Sequence, residues 1–397
     1  MAPTRFLRHV FRGAVVCGVL VAVASCGSRT GLFGPEPPDV LPDASLDVIS
    51  PRDAVADARA DAPIDATIDV IEEPVGCVPG KFTFSLATAQ LMFVLDRSRS
   101  MEFLLTSDVQ APPGQTSRWQ ALESSLAQTI TPFTNQIAMG ARFFPAASAN
   151  SSDVVLACIQ DSSSAAIAPA LNNASKILDV FSATAPAGGT PTAVALQLAA
   201  QEISSSRAVA RAMVVATDGA PNCNGSLDRH TCTCTSSSPI GCTGVTSGAA
   251  NCLDDVRTLQ AITSIATSRN IPVYVIGIGV TAPFAGTLDA MAVAGGRPRA
   301  GTPRYYAADT PDDLTAAFTV VRDSVANCSY ITPSSPYDPN AISVEVAGAP
   351  IERDPDHLDG WDWIDQAYGH LQLFGAACAQ ATAVNVSGTV TCDPPDE

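Results

Sequence analysis

The sequence predicts an α/β protein whose centre is a doubly wound, mostly parallel sheet flanked by helices. Short apolar runs alternate with segments of helical periodicity through the middle of the chain. Two of those runs end at or next to an Asp, and a glycine pair opens a helical segment between them. Strands alternating with helices indicate parallel pairing, because each parallel crossover needs a covering helix.

In chain order, Gln90 to Leu95 (QLMFVL) reads as a buried strand and Trp119 to Ile130 as a helix. Ala138 to Phe144 reads as a second strand and Val154 to Ile159 as a third. Thr190 to Ser204 is a helix with Pro191 in its first turn and Leu196, Ala200 and Ile203 on one face. Ala212 to Ala216 (AMVVA) is a strand. Asp254 to Ser268 is a helix started by two acids, with Val256, Leu259, Ile262 and Ile265 in helical register. Pro272 to Ile278 is another strand. Thr310-Pro311-Asp312-Asp313 combines an N-cap, a first-position proline and first-turn acids, and starts a helix running to about Val325. The α/β part is expected over residues 79 to 328. Beyond it, short alternating runs such as Ile342 to Val346 and Leu371 to Phe374 predict antiparallel strands, a β-rich segment of residues 329 to 397.

Composition narrows the function classes. The 397 residues are 46% hydrophobic, enough to bury a core, with 39 Asp and Glu against 22 Lys and Arg. A net charge of −17 leaves no basic patch for a phosphate backbone, so no nucleic acid is expected. Four His are a poor basis for acid–base catalysis, and His230, His357 and His370 stand in loop-like or tail sequence without a Ser or Cys motif to serve. Neither an enzyme nor a small-molecule substrate is expected.

The chain opens with Arg5, Arg8 and Arg12, a short apolar run over 13 to 24, and Val23-Ala24-Ser25-Cys26. The run is shorter than the ~20 residues a mature spanning helix needs, so it reads as a removable signal. Its end resembles the lipobox of bacterial lipoproteins. That resemblance implies cleavage after residue 25, lipidation of Cys26 and membrane anchoring in the cell envelope. Gly27 in place of an acid implies the outer membrane. Residues 26 to 78 then form an acidic linker. From 35 to 75 it has eight Asp and three Glu against two Arg, with Asp recurring mostly at every fourth position. Like charges four apart disfavour a helix, so a disordered, extended stalk is expected.

The chemistry-bearing residues come from three stretches. QLMFVL runs into Asp96-Arg97-Ser98-Arg99-Ser100, Gly188-Gly189-Thr190 opens a helix, and AMVVA runs into Thr217-Asp218-Gly219. In an open α/β sheet, ligands bind beyond the carboxyl ends of the strands, which puts Asp96 and Asp218 on one edge. A haloacid-dehalogenase nucleophile would need an acid where Ser98 stands, and GIGV at 277 to 280 lacks the glycine spacing of a dinucleotide site.

These three motifs, in this order and strand context, resemble the von Willebrand factor A domain and its metal-ion-dependent adhesion site, over roughly residues 85 to 328. The resemblance implies Mg²⁺ (or Mn²⁺ or Ca²⁺), held directly by Ser98, Ser100 and Thr190 and through water by Asp96 and Asp218. Hard oxygen donors suit those ions. Thr192 is a rival to Thr190. The implied function is binding of a protein ligand whose acidic residue completes the metal's coordination. Arg97 and Arg99 are candidate contacts to that acid, or solvent-facing. The alternative is a structural envelope lipoprotein with a vestigial metal site.

Besides Cys26 and Cys17, ten cysteines remain: Cys77, Cys158, Cys223, Cys232, Cys234, Cys242, Cys252, Cys328, Cys378 and Cys392. In an exported chain they are candidates for disulfides. Five lie in the loop 221 to 253 after Asp218, expected to be disulfide-stapled and to border the site; zinc held by His230, Cys232, Cys234 and Cys242 is the other reading. Cys378 with Cys392 is expected to close the last hairpin, and Cys328 to tie the tail to the body. The acids Asp354, Asp356, Asp359, Asp362 and Asp365 read as a surface turn or a calcium site.

Overall fold

The computed structural model describes residues 74–149, 156–160, 166–203, 209–236, 240–244, 248–381 and 384–392, all within one compact unit, Ile68–Glu397. The signal, Cys26 and the acidic stretch up to residue 73 lie outside the described residues.

The chain begins with β1 (Gly80–Thr83), β2 (Ser85–Leu86) and β3 (Thr88–Asp96). Then follow α1 (Arg118–Ile130), β4 (Ile137–Phe144), β5 (Ala166–Ala170), α2 (Ala174–Ala183), α3 (Thr192–Gln201) and β6 (Val209–Thr217). The second half of this region has α4 (Asp255–Ser268), β7 (Val273–Ile278), α5 (Ala285–Ala294), β8 (Tyr306–Ala308) and α6 (Pro311–Ala326). The remainder is β9 (Ser329–Ile331), β10 (Ile342–Val346), β11 (Ala349–Ile351), β12 (Gly360–Asp365), β13 (His370–Phe374), α7 (Gly375–Ala381) and β14 (Val386–Val390).

Six strands form the central sheet in the order β5-β4-β3-β6-β7-β8. All its pairs are parallel except β4 with β5. Each central strand is buried on both faces and its side chains alternate. Leu91, Phe93 and Leu95 of β3 join one core with Trp119, Leu122 and Leu126 of α1, Ile177 and Phe181 of α2, and Leu314, Phe318 and Val321 of α6. Met92 and Val94 face the other core, with Leu196 of α3, Ile262 and Ile265 of α4, and Leu288 and Met291 of α5. The sheet is therefore wound on both sides. Capping fixes the helix starts: Ser117 and Gln120 form a reciprocal box at α1, as do Thr310 and Asp313 at α6.

Some expectations shift. Of the run 154 to 159, residues 154 and 155 lie outside the described residues and Leu156–Cys158 is a 3₁₀ turn. The edge strand is β5, later in the chain. The helix expected from Thr190 starts at Thr192, because Pro191 caps it instead of entering it. β1 and β2 do not belong with the central sheet, although residues from 79 onward were expected to. β1 pairs with β14 and β2 with β9, giving two antiparallel sheets, β1-β14-β10-β11 and β12-β13-β9-β2. Val344 and Val386 from the first, Trp361, Leu371 and Leu373 from the second, Phe84 between β1 and β2, and Ala377 of α7 share a third core.

That non-local pairing explains the cysteines. The expected Cys378–Cys392 pair is replaced by Cys77–Cys392 and Cys328–Cys378, because β14 carries Cys392 alongside β1 rather than back onto α7. Cys158–Cys223, Cys232–Cys252 and Cys234–Cys242 complete the five disulfides among the described residues. Cys77–Cys392 spans a sequence separation of 315. Replacing both by Ser should lower unfolding stability by about 2–4 kcal/mol, since a long closed loop restrains the unfolded chain most. Urea unfolding of the double variant measures this; an unchanged midpoint would count against the tie.

The acidic turn is built on its own backbone. Asp354 accepts N–H groups from Asp356, Leu358 and Asp359. Asp362 is engaged by Arg353 and His357. These carboxylates are spent on turn geometry rather than gathered for calcium. Trp361 and Trp363 pack edge to face at 5.5 Å.

Candidate functional site

The doubly wound order places β3 beside β6, where the winding changes direction and where ligands of such sheets bind. Asp96 ends β3 and Asp218 follows β6 directly, so the switch point carries two carboxylates. Both are buried.

Each carboxylate is held by named donors. The Ser98 backbone N–H donates to Asp96 Oδ1 at 2.7 Å, and Thr217 Oγ1 donates to Oδ2 at 2.5 Å. Ser100 Oγ donates to Asp218 Oδ1 at 2.8 Å, and Ser98 Oγ lies 3.0 Å from Ser100 Oγ. A hydroxyl that donates its hydrogen still has lone pairs for a cation. Thr190 arrives from the glycine turn. Its N–H donates to Asn222 Oδ1 at 2.8 Å, and its carbonyl accepts from the Asn222 N–H at 2.9 Å. Gly188 has φ +79°, a conformation that favours glycine. A Cβ on Gly189 would stand 2.8 Å from Cys223 Sγ, so the Cys158–Cys223 disulfide presses against the turn that presents Thr190.

Ser98, Ser100, Thr190 and Asp218 line one cavity of about 400 Å³. Thr192 is not among its lining residues; it is buried in the first turn of α3, with its hydroxyl on the Thr190 carbonyl. From the Cys-rich loop, Thr235, Ser236 and Asn251 border the cavity. The cysteines of that loop are consumed in disulfides, so no thiolates are left for zinc with His230.

The two flanking arginines separate. Arg99 is exposed and lines the cavity. Arg97 is neither a partner contact nor solvent-facing: it is buried, donating to the carbonyls of Ala185, Pro145 and Ala146. It ties the loops after β3 and β4 together from inside.

The sequence reading missed a third arginine. Arg118, the first residue of α1, is 1% exposed, and its Nη1 donates to Asp218 Oδ2 at 2.8 Å. Its Nε donates to the Leu104 carbonyl and its Nη2 to Asp108 Oδ1. Thr217, part of the second Asp motif but given no role in it, and Asn222, outside every motif, join the site as well. Thr217 stands one residue before a motif acid, and Asn222 four residues after it.

Electrostatics point to a missing positive charge. Burial, and then the charge of Asp218, push the Asp96 carboxyl up to about 7, against the hydrogen bonds from Thr217 and Ser98. Burial also raises Asp218, with Arg118 pulling against it. The guanidinium of Arg118 bonds Asp218 and not Asp96, so the Asp96 charge is under-compensated. An oxygen-only donor set with that deficit fits a hard divalent cation.

No protein-family model matches the chain, and no curated protein matches it. The solved structures that match it include the following three. The pilus adhesin SpaC from Lactobacillus rhamnosus GG is 16% identical with TM-score 0.41, over 77% of this chain and 40% of that one. The PilB minor pilin from Streptococcus sanguinis is 18% identical with TM-score 0.41, over 61% and 62%. Manganese-loaded TRAP from Plasmodium vivax is 16% identical with TM-score 0.35, over 60% and 77%. The chain thus spans less than two thirds of the first two. The fold of the central region is von Willebrand A-like. Its strand order, its antiparallel edge strand and its helix layers on both faces fit that description.

Proposed function

We propose that this chain is a non-catalytic binding protein of the cell envelope that takes a protein ligand through a divalent cation. One observation carries the reading: Ser98, Ser100, Thr190 and Asp218 line one cavity at the switch point, above two buried carboxylates with too little positive charge. Ser98, Ser100 and Thr190 would hold the ion, with Asp96 and Asp218 orienting the hydroxyls and bound water. Mg²⁺ or Mn²⁺ would supply an electrophilic position for a partner's carboxylate. The exposed Arg99 at the rim would pair with the same acid. Residues 76 to 397 carry 28 acidic and 16 basic residues, so an acidic partner is repelled at long range and needs the local cation. Cys26 would anchor the protein by its acyl chains, with the outer membrane as its location and the acidic stretch as its tether.

Arg118 favours a second reading, a structural envelope protein. Its guanidinium already occupies one oxygen of Asp218 and supplies part of the charge a cation would bring. Metal titration separates the two. Mg²⁺ or Mn²⁺ at about 100 times its Kd should stabilise the wild type by about 2.7 kcal/mol, and Ser100→Ala or Thr190→Ala should cut most of that. Thermal melts with and without metal that coincide would leave the structural reading. A pull-down from envelope extract, lost on EDTA addition and with Thr190→Ala, tests the partner.

A further inference from the structure

A second cavity, of about 450 Å³, opens where α6, β7 and β8 meet β13 and α7. Tyr274, its contributor from β7, is the second residue of that strand, whereas the switch-point site lies past the strands' carboxyl ends. Its walls are aromatic: Tyr274, Tyr306, Phe374 and His357. Among them sits Arg297, 6% exposed, its guanidinium carbon 5.1 Å from the Phe374 ring centroid and 6.0 Å from that of Tyr274.

Arg297 has no carboxylate among its partners. Its Nη1 donates to the Gly296 carbonyl and lies 3.1 Å from His357 Nδ1, its Nη2 donates to Gln372 Oε1 at 2.6 Å, and its Nε has no acceptor. The nearby acids are engaged elsewhere. Asp362 is bound by Arg353 and by His357 Nε2, and Asp323, on the cavity wall, is paired with Arg322 at 2.7 Å. A buried cation with neutral partners is costly unless an anion compensates it. Planar walls around a guanidinium suit a flat apolar body carrying that anion.

We propose that this cavity is a binding site for a small organic anion, a carboxylate on an apolar ring system, with its charge set against Arg297 and its ring among Tyr274, Tyr306 and Phe374. The site is separate from the cation site and does not rest on it.

The test uses 2-naphthoate and its neutral analogue 2-naphthylmethanol, titrated calorimetrically into the full chain without added metal. Naphthoate should bind at least ~10-fold more tightly than the alcohol. Arg297→Gln should erase that preference while leaving the alcohol's affinity in place. Arg297 also has structural contacts, so a second variant is needed that spares them. Val320→Trp, at a wall position 49% exposed on α6, should block both ligands without disturbing the core. Asp323→Asn should strengthen naphthoate alone. Ser100→Ala, at the other site, should change neither. Equal affinity for the two probes, no saturation by naphthoate up to about 1 mM, or binding unaffected by Val320→Trp would overturn the assignment.

Discussion

Arg118→Met should destabilise the metal-free protein by about 3–5 kcal/mol, the usual cost of removing one partner of a buried ion pair. Arg118 and Asp218 have side-chain exposures of 1% and 0%, so solvent cannot replace the lost guanidinium. The second carboxylate contact adds little, because the Asp108 side chain is 61% exposed and its pair is screened. Met keeps much of the side chain's apolar packing, including that beneath Phe103, whose ring lies 5.7 Å from the guanidinium. The loss should therefore report charge rather than volume. Two comparisons make it specific. Adding Asp218→Asn should recover most of the stability, since the stranded charge is then gone. Mg²⁺ should stabilise Arg118→Met by more than it stabilises the wild type, because both oxygens of Asp218 are then free of the guanidinium. Urea unfolding with and without Mg²⁺ measures all three. A loss below about 1 kcal/mol would mean that Asp218 is neutral in the fold and that the pair does not bear on the site.

If that differential appears, Arg118 sets how strongly the site needs a cation. The guanidinium cancels one carboxylate and leaves the other. This holds the metal-free site together at a moderate charge while keeping an incentive for a divalent ion. It also joins the site to the segment before α1. Arg118 donates to Leu104, Ser107 and Asp108, and its N–H to the Phe103 carbonyl. A change at Asp218 is thereby felt along residues 103 to 108, at the same edge as the exposed Arg99.

How much of this was legible in the sequence depends on how local each cause is. QLMFVL, AMVVA and the Thr310-Pro311-Asp312-Asp313 start were legible because burial on both faces and helix capping are written in neighbouring residues. The edge position of Asp96 and Asp218 followed from strand direction alone. Arg118 was not legible. In the sequence it is a basic residue opening a helix, and its burial depends on the preceding segment folding back over it. Arg97 misled for the complementary reason: a charged residue between two motif serines reads as exposed, but carbonyls from Ala185, Pro145 and Ala146 converge on it from distant stretches. Residues 80 to 86 read as continuous with the α/β region because their partners, β14 and β9, lie at the far end of the chain. The Cys77–Cys392 pair shares that origin. Alternation shows that a strand exists, not which strand it will join.

The second large effect is a pH-dependent difference between the wild type and Asp96→Asn, both metal-free. The folded Asp96 carboxyl is pushed up to about 7 from 3.8, by burial first and the Asp218 charge second. A raised acid favours the protonated folded state. Its contribution is fully present below 3.8 and is lost as pH rises through about 7, because the unfolded chain gives up the proton while the fold retains it. The wild type alone would hide this. His370, buried and with Nε2 unpartnered, is lowered to about 4 from 6.5, by burial first and Arg211 second. That contribution is present above 6.5 and lost as pH falls through about 4, so it opposes Asp96 across most of the same window. Asp354 and Asp362 are lowered below 3.8 and act beneath it. Asp96→Asn retains His370, so the difference removes that contribution and reports Asp96 together with its coupling to the buried Asp218. Between pH 4 and pH 7 it should shift by about 3 kcal/mol in favour of the Asn form. Asp96→Asn keeps the opposing contributions of His370 and of Asp218, which burial raises, so its stability should fall less, or rise more, with pH than that of the wild type between 4 and 6.5. The wild type at saturating Mg²⁺ should likewise lose the Asp96 contribution, since a bound cation keeps Asp96 ionised. Denaturant unfolding at half-unit pH steps reads all three curves. Parallel curves for the metal-free wild type and Asp96→Asn would show that Asp96 already has its compensating charge, leaving a cation no vacancy to fill.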